Sequence, residues 1–515
     1  MSSSRLLAGP APALFALALA AYAYFYQAGG WNQNVRVDLT RALVEQRSPR
    51  IDRYHANTGD KGCRGPGGRC VRARPDMDQH YYCDKAPGVS LLGVIPYAPM
   101  WALAGSERPA LSFLVAASYL STVVAVALPS AAAVALLYLL LAGFGVAARI
   151  RAVVALGWAF ATLAWPYATL LYGHQLAAAL LIAAFALLVR AHRLGTPARP
   201  ELVGVLLGWS VVSEYPAALA VVPIFVYAAV TLRPGWRLAR VVAGGAACAI
   251  VLGGYHWIAF GGPFTLPYEF STQEYRGMGY FMGLGVPNWP AFSNTMFTPY
   301  RGLFYSAPWL LGALPGGVLL WRRGFRAEVG VCAAVCVGFV WMVSSILESW
   351  HGGWSLGSRY MIPAIPFLVV LVAGLGLLDL GARVSASRVR LVRGLAWAGA
   401  VASLGLSTWL MLAGTAVRPE VPQHIRKPFE QYLLPHLYAG TLATNPQHID
   451  RIDSPAGGPR QAWNLGMLMG LDGLASLLPL ALLAALGLAW LARGVRREER
   501  NQAEAGAEGA RAPPA

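Results

Sequence analysis

The chain has 515 residues, 56% of them hydrophobic and only 13% charged, with a mean hydropathy of +0.48. A soluble domain is about one quarter charged and at most about half apolar, so the composition excludes an ordinary soluble protein, a disordered chain and a disulfide-rich secreted domain, and fits a polytopic membrane protein. The net charge of +17 raises the question of nucleic acid, but the arginines cluster at the ends of apolar runs, where membrane topology accounts for them; no nucleic-acid partner is expected.

The first apolar run, within residues 1–26, follows Arg5 and reads as an uncleaved first span. A secretory signal is the competing reading, since Ala21-Tyr22-Ala23 resembles a cleavage site. Residues 27–87 are polar and form an extracytoplasmic loop with partly helical character. The region 88–146 admits two readings: three crossings, with a break at Pro129, or one long crossing preceded by a helix in the outer interface. Further apolar runs lie near 150–164, 174–190, 201–213, 215–231, 239–260, 302–320, 329–346, 359–380, 391–413 and 465–493. The expected fold is an all-α polytopic membrane protein with 12–14 transmembrane helices. A transmembrane module occupies 88–380, further spans with a second outer loop (414–463) occupy 381–495, and 496–515 read as a disordered cytoplasmic tail rich in Ala, Glu, Arg and Pro.

Arginine clusters at 149–151, 190–199, 233–240, 322–326, 383–393 and 493–500 fall on one side if the spans alternate. The positive-inside rule makes that side cytoplasmic, with both termini there, and places the chain in a cell inner membrane. The apolar runs 150–164 and 201–213 are short, about 20–22 Å as helix against a hydrocarbon core of about 30 Å. Their turns, Trp165-Pro166-Tyr167 to His174 and Ser213-Glu214-Tyr215-Pro216, are expected below the outer membrane surface, lining a cavity.

Ionisable residues outside the arginine clusters project to the outer side: Asp38, Asp60, Asp84, Lys85, His174, Glu214, Arg301, His351 and Arg359. Neither a phosphate-binding glycine loop, a dinucleotide fingerprint nor a zinc-protease motif occurs. An outer site has no supply of nucleotide sugars, so an activated substrate there has to be lipid-linked or exported. The run Tyr81-Tyr82-Cys83-Asp84-Lys85-Ala86-Pro87-Gly88 places a carboxylate, an ammonium and a helix N-terminus at the membrane face, which suits a phosphate headgroup; an interfacial lysine at a helix start is the plainer reading. Asp38 reads equally as the solvated face of an amphipathic surface helix whose apolar stripe is Val35, Leu39 and Leu43. His174 and Glu214 at the recessed turns are candidates for substrate contact or simply hydrogen-bonded within the bundle. Trp350 and Trp354, beside His351, could stack on a sugar or belong to the interfacial aromatic belt. Among Cys63, Cys70 and Cys83 of the first loop, a Cys63–Cys70 bridge is favoured; with His55 and His80 nearby a metal site is the alternative, although the spacing matches no standard zinc pattern.

Several of these segments resemble motifs of the GT-C superfamily of glycosyltransferases, in particular bacterial relatives of protein O-mannosyltransferases and aminoarabinose transferases. They are Asn57-Thr58-Gly59-Asp60, Asp84-Lys85-Ala86-Pro87-Gly88, Tyr172-Gly173-His174-Gln175, Ser213-Glu214-Tyr215-Pro216, Pro299-Tyr300-Arg301-Gly302-Leu303-Phe304, and the run from Trp350 to Tyr360. The likeness covers about residues 5–380 in order. It implies a GT-C-like bundle that transfers a sugar from a polyprenyl-phosphate donor to a lipid, glycan or protein acceptor, by inversion, with an aspartate as general base. Relatives carry an Asp-Glu pair soon after the first span, where this chain has Asn32-Gln33-Asn34. Asp38, on the same helical face as Asn34, is the expected base, and Asp60 its rival. Lys85, Arg301 and Arg359 are expected to bind the donor phosphate; Asp84, His174, Glu214, His351, Trp354 and Tyr360 to contact substrate. No cofactor is required, though Asp84 could hold a divalent cation. Two other functions stay open: a transporter or flippase for a lipid-linked glycan, and a non-catalytic subunit of an envelope-assembly complex.

Overall fold

In a solvent that offers no hydrogen bonds, apolar segments fold as helices because these satisfy every backbone group internally. The computed structural model describes residues 9–70, 72–74, 77–104, 109–273, 283–378, 386–444 and 461–511. In chain order the main helices are α1 (Pro10–Tyr22), α2 (Trp31–Glu45), α3 (Gly88–Ala104), α4 (Leu111–Phe144), α5 (Ala148–Phe160), α6 (Gly173–Leu194), α7 (Pro200–Ser213), α8 (Tyr215–Thr231), α9 (Trp236–Phe260), α10 (Ala313–Arg322), α11 (Arg326–Ser345), α12 (Arg359–Leu377), α13 (Ala386–Val417) and α14 (Leu478–Arg511). Among the described residues seven helices are long and apolar enough to cross a membrane, and α1, α3, α7 and α8 are shorter apolar helices. The chain is an all-α, multi-pass membrane protein.

Residues Leu111–Phe144 form one helix of 34 residues, so the three-crossing, fourteen-span reading of 88–146 falls. Pro129 has no N–H to give to the preceding turn. A π-helical turn at Val123–Ala127 widens the helix just before it and absorbs the defect. Two runs expected to be single spans are broken instead. Within 302–320, the helix Leu303–Ser306 stops at Ala307, which leaves helical geometry (φ −138°, ψ 65°) before Pro308, and α10 starts afresh at Ala313. Within 465–493, Gly470 (φ 83°) and Gly473 (φ 53°) separate the turn Leu465–Leu468 from α14. The stretch 496–511, expected as disordered tail, continues α14 to Arg511. Its Ala, Glu and Arg residues are strong helix formers, and Glu498 ties it to the bundle through Arg151 and the Tyr138 hydroxyl. Part of the outer loop 414–463 (445–460), residues 381–385 and the last four residues of the tail lie outside the described residues.

The segments that connect the helices pack on the helix ends. Strands β2 (Lys61–Gly65), β3 (Gly68–Arg69) and β4 (His80–Cys83) form a small antiparallel sheet in the order β3-β2-β4, after β1 (Phe25–Tyr26), which pairs with β5 (Trp463–Asn464). Cys63 and Cys70 are disulfide-bonded with Cα atoms 5.0 Å apart, and Cys83 is a buried thiol. The start of the next outer loop lies on β2: Gly62 bridges Ser271, and Thr272 N–H donates to the Lys61 carbonyl at 2.9 Å. Tyr255 of α9 donates to the Cys83 carbonyl at 3.0 Å, which fixes the strand leading into Asp84 and Lys85.

The helix α2 is not the surface helix that its polarity implies. Every residue from Asn32 to Thr40 is buried, including Asn32, Gln33, Asn34, Arg36, Asp38 and Thr40. Buried polar groups have to find partners, and these do so on three sides. Thr40 donates to the Ser90 carbonyl of α3 at 2.9 Å, Gln33 accepts from the Leu171 N–H at 3.1 Å, and Asn34 donates to the Asn57 carbonyl at 2.8 Å. A helix that reads as half solvated is thereby held among three chain segments.

Candidate active site

Close packing of glycines brings the breaks between helices together. A Cβ on Gly88, at the start of α3, would meet the Ser213 hydroxyl at 2.5 Å. A Cβ on Gly173, at the start of α6, would meet the Ser213 carbonyl at 2.1 Å and the Glu214 carboxylate at 2.7 Å. The starts of α3 and α6 and the end of α7 therefore touch backbone to backbone. Their neighbouring polar side chains, Lys85, His174 and Glu214, are delivered to one place.

Two groups of residues meet there. In the outer one, Lys85 Nζ lies 3.1 Å from Asp84 Oδ1 and 3.5 Å from Asp60 Oδ2. Burial works against the Lys85 ammonium, but Asp60 and Asp84 outweigh it and hold its pKa above the usual lysine value. Burial pushes the Asp84 carboxyl above its ordinary value, with Lys85 opposing. In the inner group, His174 Nδ1 is 3.1 Å from Glu214 Oε2, and the Tyr360 ring packs edge-on against the His174 ring at 5.5 Å. The Arg359 guanidinium lies over Tyr360 at 5.3 Å and over Tyr172 at 5.5 Å. Gly88, three residues after Lys85, and Gly173, beside His174, both pack on Ser213, next to Glu214, so the two groups are neighbours.

Arg301 is placed differently from expectation. It is buried, and its Nε and Nη2 donate at 3.1 Å to the carbonyls of His351 and Gly353. Most of its fork is therefore occupied in clamping the Trp/Gly-rich loop. The same loop accepts a bond from Tyr167 at Leu356, and its Gly352 (φ 75°) would touch the Arg359 side chain at 3.1 Å if it carried a Cβ. Arg301 thus holds the segment that presents Arg359. His351 Nδ1 accepts from the Gly353 N–H at 2.9 Å, and burial lowers its pKa; it is a loop-forming imidazole. Trp354 stacks under the Arg418 guanidinium at 5.6 Å.

Asp38 is engaged by Asn57. Its side chain is fully buried and accepts from Asn57 Nδ2 at 3.2 Å. Burial raises its pKa well above 3.8, against the opposing charge of Arg41. The shared face with Asn34 is real, since residues four apart lie one above the other, but that face turns towards Asn57. Residues two apart on a helix point to nearly opposite sides, and Arg36 points to the Tyr172 ring, 6.0 Å from its centre, while Asp38 meets Asn57. Asp60, by contrast, is partly exposed beside Lys85. Among the described residues no three metal-ligating side chains converge; the space between Asp60 and Asp84, where a divalent cation would sit, holds the Lys85 ammonium.

Two residues went unread in the sequence. Arg36 is 2% exposed and lies 6.0 Å from the Tyr172 ring. Glu420, in the segment after α13, accepts from the Tyr172 hydroxyl at 2.5 Å and from Gln33 Nε2 at 3.4 Å, and Gly30 lies against its carboxylate. An isolated acid in Arg418-Pro419-Glu420-Val421-Pro422, directly after an apolar helix, was the available signal.

No protein-family model and no curated protein sequence matches the chain. Among solved structures it resembles ArnT from Cupriavidus metallidurans in the apo state, with a TM-score of 0.44 and 15% identity over 93% of this chain and 72% of that one. ArnT from the same organism bound to undecaprenyl phosphate gives 0.41 and 14%, over 96% and 76%. The archaeal oligosaccharyltransferase AglB from Archaeoglobus fulgidus, in complex with an inhibitory peptide and a dolichol-phosphate, gives 0.43 and 12%, over 87% of this chain and 60% of that one. At these scores the likeness assigns no role to any residue.

Proposed function

We propose that the chain is a GT-C-type glycosyltransferase that moves a sugar from a polyprenyl-phosphate donor to an acceptor at the outer face of an inner membrane, with both termini cytoplasmic. The observation that carries this reading is the convergence of Asp60, Asp84 and Lys85 with His174, Glu214 and Arg359 from five separate stretches of chain at one end of the helices. The alignment of the first outer loop with the breaks before α6 and α12 leaves a carboxylate, an ammonium and a guanidinium where a lipid headgroup would arrive.

Asp60 is the general base in this reading. It is partly exposed, and so within reach of an acceptor hydroxyl, whereas Asp38 is fully buried and bonded to Asn57. The acceptor oxygen attacks the anomeric carbon while its proton passes to the Asp60 carboxylate. The bond from the anomeric carbon to the phosphate oxygen breaks, its electron pair stays on the phosphate, and the configuration at the anomeric carbon inverts. Lys85 and Arg359 stabilise the growing charge on the leaving phosphate. Glu214 and Tyr360 hold His174, which is placed to hydrogen-bond the sugar.

The test supplies purified full-length protein with radiolabelled polyprenyl-phosphate hexoses and pentoses, together with extracted envelope acceptors. Release of polyprenyl phosphate with label moved to the acceptor supports the reading. Movement of intact lipid-linked sugar between leaflets, with no bond broken, contradicts it and favours a flippase.

A further inference from the structure

A buried guanidinium without a carboxylate partner is costly, because its charge has left water with nothing to replace the lost solvation. Arg36 is in that position. It is 2% exposed, and among the described residues no Asp or Glu lies within ion-pair distance of it. Its Nη1 is used within its own helix, donating to the side chain and backbone carbonyls of Asn32. Its Nε has no hydrogen-bond partner. Arg359 shares this condition: its Nε is likewise buried and without a partner. The two guanidiniums lie 6.0 Å and 5.5 Å from the centre of one ring, that of Tyr172, which Glu420 holds by its hydroxyl. Other buried arginines of the fold end on acceptors: Arg151 on Glu498, Arg301 on two loop carbonyls.

We propose that Arg36 is a second phosphate-binding arginine, which with Arg359 grips a phosphate monoester across the face of Tyr172. The inference rests on the lipid-phosphate reading of the site and deepens it by naming the group that holds the headgroup from the α2 side. Two planar forks match the oxygen geometry of a phosphate better than a single point charge does. A phosphate arriving beside both guanidiniums supplies the direct anionic partner that neither has within ion-pair distance in the fold.

The test measures thermal unfolding of the purified full chain with farnesyl phosphate, farnesol or inorganic phosphate as probe, for wild type, Arg36→Gln and Arg36→Lys. The expected result is stabilisation of wild type by farnesyl phosphate and not by farnesol. Arg36→Gln should weaken farnesyl phosphate binding about ten- to a hundredfold, with a ligand-free melting temperature equal to or above that of wild type, because the uncompensated charge is gone. Arg36→Lys keeps the charge without the fork, should lose at least about tenfold, and serves if the glutamine variant does not fold. Unchanged farnesyl phosphate affinity in both variants overturns the inference, as does a lowered ligand-free melting temperature with unchanged affinity, the signature of a structural arginine. If wild type binds farnesyl phosphate no better than farnesol, the underlying reading of the site fails as well. If inorganic phosphate binds as tightly as farnesyl phosphate and depends equally on Arg36, the anion site stands and its source is free phosphate rather than a lipid headgroup.

Discussion

His174 Nδ1 stands 3.1 Å from Glu214 Oε2, joining the turn before α6 to the turn after α7. The pair forms because Gly173 packs directly on the Ser213 carbonyl. Gly173→Ala would place a methyl group at 2.1 Å from backbone that cannot swing aside, so the two turns have to separate. The expected cost is about 1–3 kcal/mol of stability, with transfer activity falling alongside. Gly67→Ala, where nothing lies within 4 Å of the added Cβ, is the control and should stay within about 0.5 kcal/mol of wild type. Thermal unfolding of the two variants checks this; equal effects would mean that the close approach of the turns carries no weight.

Glu420 is expected to act through Tyr172. A hydrogen bond to a charged group is worth about 1.5–3 kcal/mol, and here it fixes the ring that both Arg36 and Arg359 approach. Glu420→Gln and Tyr172→Phe should each raise the KM for a polyprenyl-phosphate donor. The double variant should be no worse than the poorer single variant, because both remove one interaction. Additive losses in a double-mutant cycle would show that the two residues act independently.

Two groups of the first outer loop titrate with opposite consequences. Burial, with the Lys61 charge adding to it, lowers the His55 pKa to about 4. The unfolded chain therefore binds a proton that the fold refuses between about pH 6.5 and 4, and His55 makes stability fall as pH drops through that window. The Asp38 pKa is raised well above 3.8 by burial. There the folded state binds the extra proton, and stability falls as pH rises above about 4. Asp38→Asn removes only the second effect. Its melting temperature relative to wild type should climb as pH goes from 4 to 7. A difference that stays constant with pH would show that Asp38 is ionised in the folded protein.

The parts of the site that rest on local chemistry were legible. Asp84-Lys85 before a Pro-Gly helix start, and the two short helices with polar turns, each announced themselves from a few neighbouring residues, as did the membrane character of the chain. What stayed hidden depends on contacts between distant segments. The helix α2 reads as amphipathic and solvated, and only the approach of Ser90, Leu171 and Asn57 buries it on every side. Asp38 was favoured because it shares a face with Asn34; that this face meets Asn57 depends on the turn His55–Asn57 packing against it, which α2 alone does not announce. Glu420 carries no motif at all, and its role emerges only where the final outer loop folds back onto Tyr172. Arg301 was read as a phosphate ligand by its charge, whereas two loop carbonyls take its donors.

The claim that Asp60 beside Lys85 is the working base is tested most directly by the rate of sugar transfer from a labelled polyprenyl-phosphate donor, comparing Asp60→Asn with Asp38→Asn. Loss of a general base costs about 10²–10⁴-fold, so Asp60→Asn should lose at least about a hundredfold in kcat. Asp38→Asn replaces a buried carboxyl that bonds Asn57 by an amide of the same shape, and should stay within a few-fold of wild type. Full activity in Asp60→Asn with a collapsed rate in Asp38→Asn would contradict the account and return the chemistry to the face of α2 that points at Asn57.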